Sequence, residues 1–151
     1  MKNMLPSLGK ITLLILGILS AVSGASAQTC RMDATIRPGD ITIPAKINPA
    51  KEYTVRVSVE NSGTCAWETS SKIRLSVKIV KGPSGSPLQR DELTPIVNLK
   101  YKVEPGKSNT FQYEIEGPYY LGQYTLEWVM TINNKAFGSE VRKTIEVVPP
   151  K

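Results

Sequence analysis

The chain has 151 residues, 40% of them hydrophobic, with 19 basic and 13 acidic side chains and no histidine. That length suits one domain, and the missing histidine removes both the usual general base at neutral pH and the commonest metal-binding nitrogen. The charges stand singly rather than in runs of Lys or Arg, which argues against a nucleic-acid surface and leaves only a mild, nonspecific attraction to anionic envelope polymers.

Met1 to Ala27 reads as a secretory signal peptide. Lys2 and Lys10 precede the apolar run ITLLILGILSAV, and Ala25 and Ala27 follow in the small-x-small pattern of a cleavage site. The run is shorter than the ~20 residues that span a bilayer, so no stable membrane anchor is expected after cleavage. Gln28-Thr29 before Cys30 do not suit a lipid attachment site. Cleavage after Ala27 leaves a single domain over 28–151, and losing Lys2 and Lys10 takes the net charge from +6 to +4. The expected location is periplasmic or extracellular.

Cys30 and Cys65 are the two cysteines. In an oxidising compartment they are expected to form a disulfide, with two buried free thiols as the alternative. Such a bridge would contribute roughly 3–4 kcal/mol on the chain-entropy account. With no histidine and no C-x-x-C spacing, metal binding is not expected.

Beyond Cys30 the pattern alternates with period two. EYTVRVSVE sets Tyr53, Val55, Val57 and Val59 against Thr54, Arg56, Ser58 and Glu60. KIRLSVKIV, TFQYEIE and QYTLEWVMTI repeat the pattern, with Ile73, Leu75, Val77 and Ile79, then Phe111, Tyr113 and Ile115, then Tyr124, Leu126, Trp128 and Met130 facing inward. Each is a half-buried strand with one wet face. RPGD, NSGT, GPSGSP, EPGK, EGPYYLG and INNK supply the turns. The expected fold is therefore all-β, an immunoglobulin-like antiparallel sandwich of about seven to eight strands, with a closed barrel as the alternative. Lys81 to Pro95 is the longest stretch without strand pattern, either a mobile loop or the functional loop.

Within ENSGTCAWETS, Asn61 and Ser62 can bond their own turn backbone, and Gly63 can take a positive φ. Trp67 can cap the end of the sandwich and would seek a carbonyl for its indole N–H; the alternative is an exposed ligand platform. Tyr124 stands where a corner tyrosine can bond back to upstream backbone, and Trp128 reads as core.

The succession NSGTCAW, EPGK, EGP, LGQYTLEW and FGSEVRKTIEV resembles the FW (four-tryptophan) immunoglobulin-like domain, which occurs in selective-autophagy cargo receptors and in many exported bacterial proteins. The resemblance runs from Ala34 to Val147. It carries over Asn61, Gly63, Thr64 and Trp67 as the family's turn, Pro105-Gly106 before the next strand, Pro118, Gly122 and Tyr124 approaching the tryptophan strand, Trp128 on it, and Phe137-Gly138 in the final hairpin. It implies a Cys30–Cys65 pair, as in exported bacterial members, and an interaction module. The family's first tryptophan falls at Val57 and its last at Arg142, so two of the four name-giving residues are absent and any ligand surface they shape elsewhere does not carry over.

Catalysis has no evident seat. No cysteine is expected to be free, Glu114, Glu116 and Glu127 read as solvated strand-face carboxylates, Asp91-Glu92 beside Arg90 read as an ordinary loop, and GPSGSP lacks the Lys of a phosphate loop. No cofactor is expected. The leading expectation is a noncatalytic module that binds or scaffolds another envelope or extracellular protein, with a strand edge as one mode of contact. Tyr119 and Tyr120 are the candidate contact residues, since tyrosine is enriched at interfaces and adjacent residues on one strand would point oppositely, although core or turn packing of both is the reading the pattern slightly favours. The alternatives are a carbohydrate or cell-wall binding module, with Tyr119, Tyr120 or Trp67 stacking on sugar rings, and a purely structural subunit.

Overall fold

The computed structural model describes residues 29–86 and 93–151. The expected signal peptide and the Arg90, Asp91 and Glu92 cluster lie outside those residues. Eight strands run in order among the described residues: β1 (Ile41–Thr42), β2 (Lys46–Ile47), β3 (Glu52–Glu60), β4 (Ile73–Lys81), β5 (Ile96–Asn98), β6 (Ser108–Glu116), β7 (Gly122–Ile132) and β8 (Lys135–Val147). They form a three-stranded sheet, β1-β3-β6, and a five-stranded sheet, β2-β8-β7-β4-β5. The two sheets stay separate, so the architecture is a sandwich rather than a closed barrel, and the fold is all-β and immunoglobulin-like.

Every pairing is antiparallel except one. The first chain segment leaves β1 at the small sheet, crosses at Pro44 without reversing, and pairs β2 parallel to β8. Pro44 cannot donate to a ladder, which suits a crossing point between sheets. Alternation could not reveal β1, β2 or β5, because two or three residues are too short to show a period.

The long strands bury the faces their sequence dictates. Val55, Val57 and Val59 of β3, Ile73, Leu75, Val77 and Ile79 of β4, and Phe111, Tyr113 and Ile115 of β6 are all buried. On β7, Tyr124, Leu126, Trp128 and Met130 form the inner row. The outer face of β7 departs from the simple pattern, since Glu127 and Val129 are buried too. β7 lies between β8 and β4 in the larger sheet, so its neighbours' side chains cover it. Arg142 lies opposite Glu127 on β8, and its Nε donates to Glu127 Oε2 at 2.8 Å. Glu127 is thus a shielded, ion-paired carboxylate and not a solvated one.

Two contacts fasten the sheets to each other. Trp128 Nε1 on β7 donates to Tyr113 Oη on β6 at 2.7 Å inside the core. Lys143 Nζ on β8 donates to the Ile41 carbonyl of β1 at 2.9 Å. The β7–β8 hairpin turns through Asn133 and Asn134, at φ 49° and 65°, the positive pair that a two-residue type I′ turn requires.

Burial raises the Tyr113 hydroxyl well above the usual 10.0, and the bond from Trp128 offsets only part of that shift. The folded state therefore holds this proton after the unfolded chain has released it, so the associated stability is intact below pH 10.0 and declines as pH rises above it. Equilibrium denaturation across the alkaline range should show this decline. Tyr113→Phe should flatten it, while costing about 1–3 kcal/mol at neutral pH because Trp128 Nε1 is left without a partner.

Candidate functional site

The sandwich has two ends of different character, separated by the nine residues of β6, roughly 30 Å of strand. One end is a closed clasp. A disulfide joins Cys30 to Cys65 with their Cα atoms 4.9 Å apart. Asn61, at the end of β3, is completely buried. Its Nδ2 donates to the carbonyls of Cys65 at 2.8 Å and Val103 at 3.0 Å, and its Oδ1 accepts the Gly63 N–H at 3.1 Å. Its own peptide N–H reaches Lys107 O, and its carbonyl accepts Gly106 N–H, each at 2.8 Å. Gly106 sits at φ 74° after Pro105, the arrangement of a type II turn, closed by Lys107 N–H to Glu104 O at 3.0 Å.

Gly63 is required for a reason other than its backbone angle, because it is not among the positive-φ residues. A Cβ there would stand 2.3 Å from Arg31 O and 2.7 Å from Asp33 N, so only glycine lets the N-terminal segment lie against the turn. Thr64 completes that seat: its Oγ1 accepts Arg31 N–H at 2.8 Å and its N–H returns to Arg31 O at 2.8 Å. Ser62 bonds Thr35 Oγ1, rather than its own turn, at 3.0 Å.

Trp67 has 0% exposure and packs edge-on against half-buried Phe137, with ring centroids 5.9 Å apart. It is not a ligand platform. Its indole N–H finds no hydrogen-bond partner among the described residues, so the expected carbonyl is absent there; its peptide groups instead pair with Val103. Gly138, at φ 76°, follows Phe137 where the β7–β8 register slips, and a Cβ on it would meet Ala34 O at 2.3 Å. The displaced residues hold the N-terminal segment, with Ser139 N–H on Ala34 O and Ile36 N–H on Ser139 Oγ, each at 2.8 Å. The clasp residues therefore meet one another and leave little surface to a ligand. Val57 is core, and Arg142 lies on the outer sheet face over Glu127. At the two positions where the FW resemblance would put tryptophan, this chain places one packing residue and one ion pair.

The opposite end is open and apolar. Tyr119 is 72% exposed, Tyr120 46% and Leu121 48%, all three in the β6–β7 connection. The turn that presents them is anchored. Tyr124 is fully buried and its hydroxyl donates to Tyr120 O at 2.9 Å. Gly117 passes so close to the β2–β3 loop that a Cβ would meet Asn48 O at 1.9 Å, and Gly117 exchanges hydrogen bonds with Ala50 and Lys51. Pro83, from the β4–β5 connection, lies against Gly122. Packing of both tyrosines within the turn is thus overturned. These residues lie in a bend rather than a strand, so the rule that adjacent side chains point oppositely does not apply. Leu121 escaped the sequence reading although it stands in the same EGPYYLG turn. Tyr101, 73% exposed, and Ile96, 62% exposed, lie elsewhere, on the β5 side.

The sequence pattern of a family described as "Ig-like domain from next to BRCA1 gene" matches residues 41–147. AvmM, which catalyses macrocyclization in alchivemycin A biosynthesis, aligns at 10% identity and a TM-score of 0.51, over 80% of this chain and 90% of its own. A β-glucosidase from Listeria innocua in complex with gluconolactone aligns at 13% identity and a TM-score of 0.47, over 79% of this chain. A β-glucosidase of intestinal bacteria involved in saponin metabolism gives 15% and 0.45 over 80%. The chain spans 16% of either β-glucosidase, and the likeness to AvmM, at 10% identity, is one of fold alone. No curated protein matches the chain in sequence.

Asn61→Ala would leave the Gly63 N–H and the Cys65 carbonyl without those partners and take one of two bonds from the Val103 carbonyl, which keeps the Trp67 N–H; it should lower stability by about 3 kcal/mol in urea denaturation. Replacing Cys30 and Cys65 by serine should cost about as much. Because both changes loosen one clasp, their combined cost should fall short of the sum.

Proposed function

Because the chain belongs to this family of immunoglobulin-like domains, we propose that it is a noncatalytic interaction module of FW type, exported to the periplasm or the cell exterior, where it binds another envelope protein. The single observation that carries the reading is the apolar tip of Tyr119, Tyr120 and Leu121, exposed at the end of the sandwich away from the clasp. An exposed group of large apolar side chains marks a contact site more often than scattered single ones do, and tyrosine contributes broad contact area at small entropic cost. The anchoring of this turn by Tyr124 and Gly117 supports the reading, since a contact surface held before binding loses less freedom on binding. The Cys30–Cys65 bridge is consistent with an oxidising compartment.

A second reading is favoured by the same two exposed rings: stacking on the sugar faces of a wall polysaccharide. The two are separated by capture. The chain with its disulfide intact is crosslinked in envelope extract beside a Tyr119→Ala/Tyr120→Ala variant, and retained material is identified by mass spectrometry. One protein enriched by the unsubstituted chain and lost with the variant is the expected result. Retention on wall polysaccharide, released by soluble sugar, would favour the second reading, and recovery of nothing but the chain itself would leave a structural role.

A further inference from the structure

The small sheet ends in a long open edge. β6 pairs with β3 along its whole length and has no neighbour on its other side among the described residues. The direction of its peptide groups follows from the printed ladder. Glu60 exchanges both its hydrogen bonds with Thr35, on the far side of β3 from β6. Asn61, one residue on, bonds toward Lys107, and Gly117 bonds toward Lys51. Peptide groups alternate along an antiparallel strand, so the odd-numbered residues of β6 face β3. Thr110, Gln112, Glu114 and Glu116 therefore turn their N–H and C=O groups outward, and none of these groups is bonded among the described residues. The strand contains no proline and its ladder with β3 shows no bulge, two of the usual devices that blunt an edge.

The space beside this edge is shaped. β1 lies across from β8 through Lys143 and Ile41, and β6 lies across from β7 through Tyr113 and Trp128. The β4–β5 side of the larger sheet extends past them, and between β5 and β6 lies a cavity of about 360 Å³ lined by Val97, Lys100, Tyr101, Thr110, Phe111 and Gln112 among others. Val97 and Phe111 make its apolar part. Beyond Arg56, whose Nε donates to Gln112 Oε1 at 3.1 Å on the outer face, the far end of that face is acidic. Glu52 stands directly opposite Glu116 in the ladder, Glu114 lies two residues away on the same face, and none of the three has an ion-pair partner among the described residues. Like charges placed opposite each other disfavour the sheet unless a cation comes between them.

We propose that an extended segment of a protein partner, alternating aliphatic and basic side chains, adds as a fourth strand to the β6 edge. Its peptide groups pair with those of Thr110, Gln112, Glu114 and Glu116. Its aliphatic side chains, pointing inward as Phe111 does, fill the cavity against Val97. Its basic side chains, on the solvent face, stand among Glu52, Glu114 and Glu116. Main-chain bonds supply the affinity and the alternation supplies the selectivity. This rests on the reading of the chain as a protein-interaction module, but not on the Tyr119–Leu121 tip.

The test is amide hydrogen exchange and chemical-shift mapping by NMR on the disulfide-bonded chain, with acetyl-Lys-Val-Lys-Val-Lys-Val-Lys-amide as probe at millimolar concentration. The amides of Thr110, Gln112, Glu114 and Glu116 should slow together, and the same peptide with Glu for Lys should leave them unchanged. Gln112→Pro removes one outward N–H and the exposed side-chain bond from Arg56, but no backbone bond to β3; it should melt as Gln112→Ala does, which loses the same side-chain bond, and weaken the probe about tenfold. Gln112→Ala, which retains the N–H, should bind as the unsubstituted chain does. Unchanged exchange at the four amides overturns the proposal, as does equal binding by Gln112→Pro. Slowing that grows with chain concentration in the absence of probe also overturns it, in favour of a second copy at this edge. Shifts confined to Tyr119–Leu121 would sink the edge proposal while leaving the tip as a contact surface, and loss of capture by the tip variant has no bearing on the edge amides.

Discussion

The buried side chain of Asn61 is the constraint from which much of the molecule's arrangement follows. An amide with no access to water must satisfy its donors and acceptor internally, and this one does so through Cys65, Val103 and Gly63. Those three partners belong to separate pieces of chain, the turn after β3 and the approach to β6. With the peptide bonds of Asn61 to Gly106 and Lys107, the same residue sets where β3 ends and where β6 begins. Once that register is set, the valines of β3 face the core along with Phe111, Tyr113 and Ile115. A slip by one residue would expose all of them.

The clasp also decides what the two tryptophans can do. Trp67 lies under the turn that Asn61 organises and touches Phe137; Trp128 sits in the middle of β7 and bonds across to Tyr113. Both are consumed by packing. The N-terminal segment is sealed to this end by a disulfide, by the glycine contacts of Gly63 and Gly138, and by Thr64. A domain so closed at one end offers partners its other end and its open edges. The apolar tip and the β6 edge are the features with that character, and they lie on different parts of the surface.

Much of the fold was legible because it depends on local chemistry. Alternation of Val, Ile and aromatic residues reports the long strands, since a strand half in water must repeat every second residue. Asn133-Asn134 and Pro105-Gly106 report turns because few residues accept their backbone angles. The candidate site was legible only in part. Tyr119 and Tyr120 could be named as candidates, but whether a side chain in a bend faces core or water depends on what neighbouring loops cover, and those loops come from Asn48 and Pro83, far away in sequence. Gly63 misled for the same reason. Its need for glycine lies in the approach of Arg31 and not in its own φ. Glu127 read as a wet residue because its period said so, yet its position in the middle of a five-stranded sheet buries it under Arg142.

The sequence by itself determined the strand faces, the turns and the class of fold, because each of these is set by residues within a few positions of one another. The tertiary structure alone decided the allocation of strands to two sheets, the parallel seat of β2, the burial of Trp67 and the exposure of the Tyr119–Leu121 tip. It also decided that β6 keeps one long edge unpaired among the described residues. These depend on contacts between segments far apart in the chain, and the energy of such a contact is written in neither segment alone.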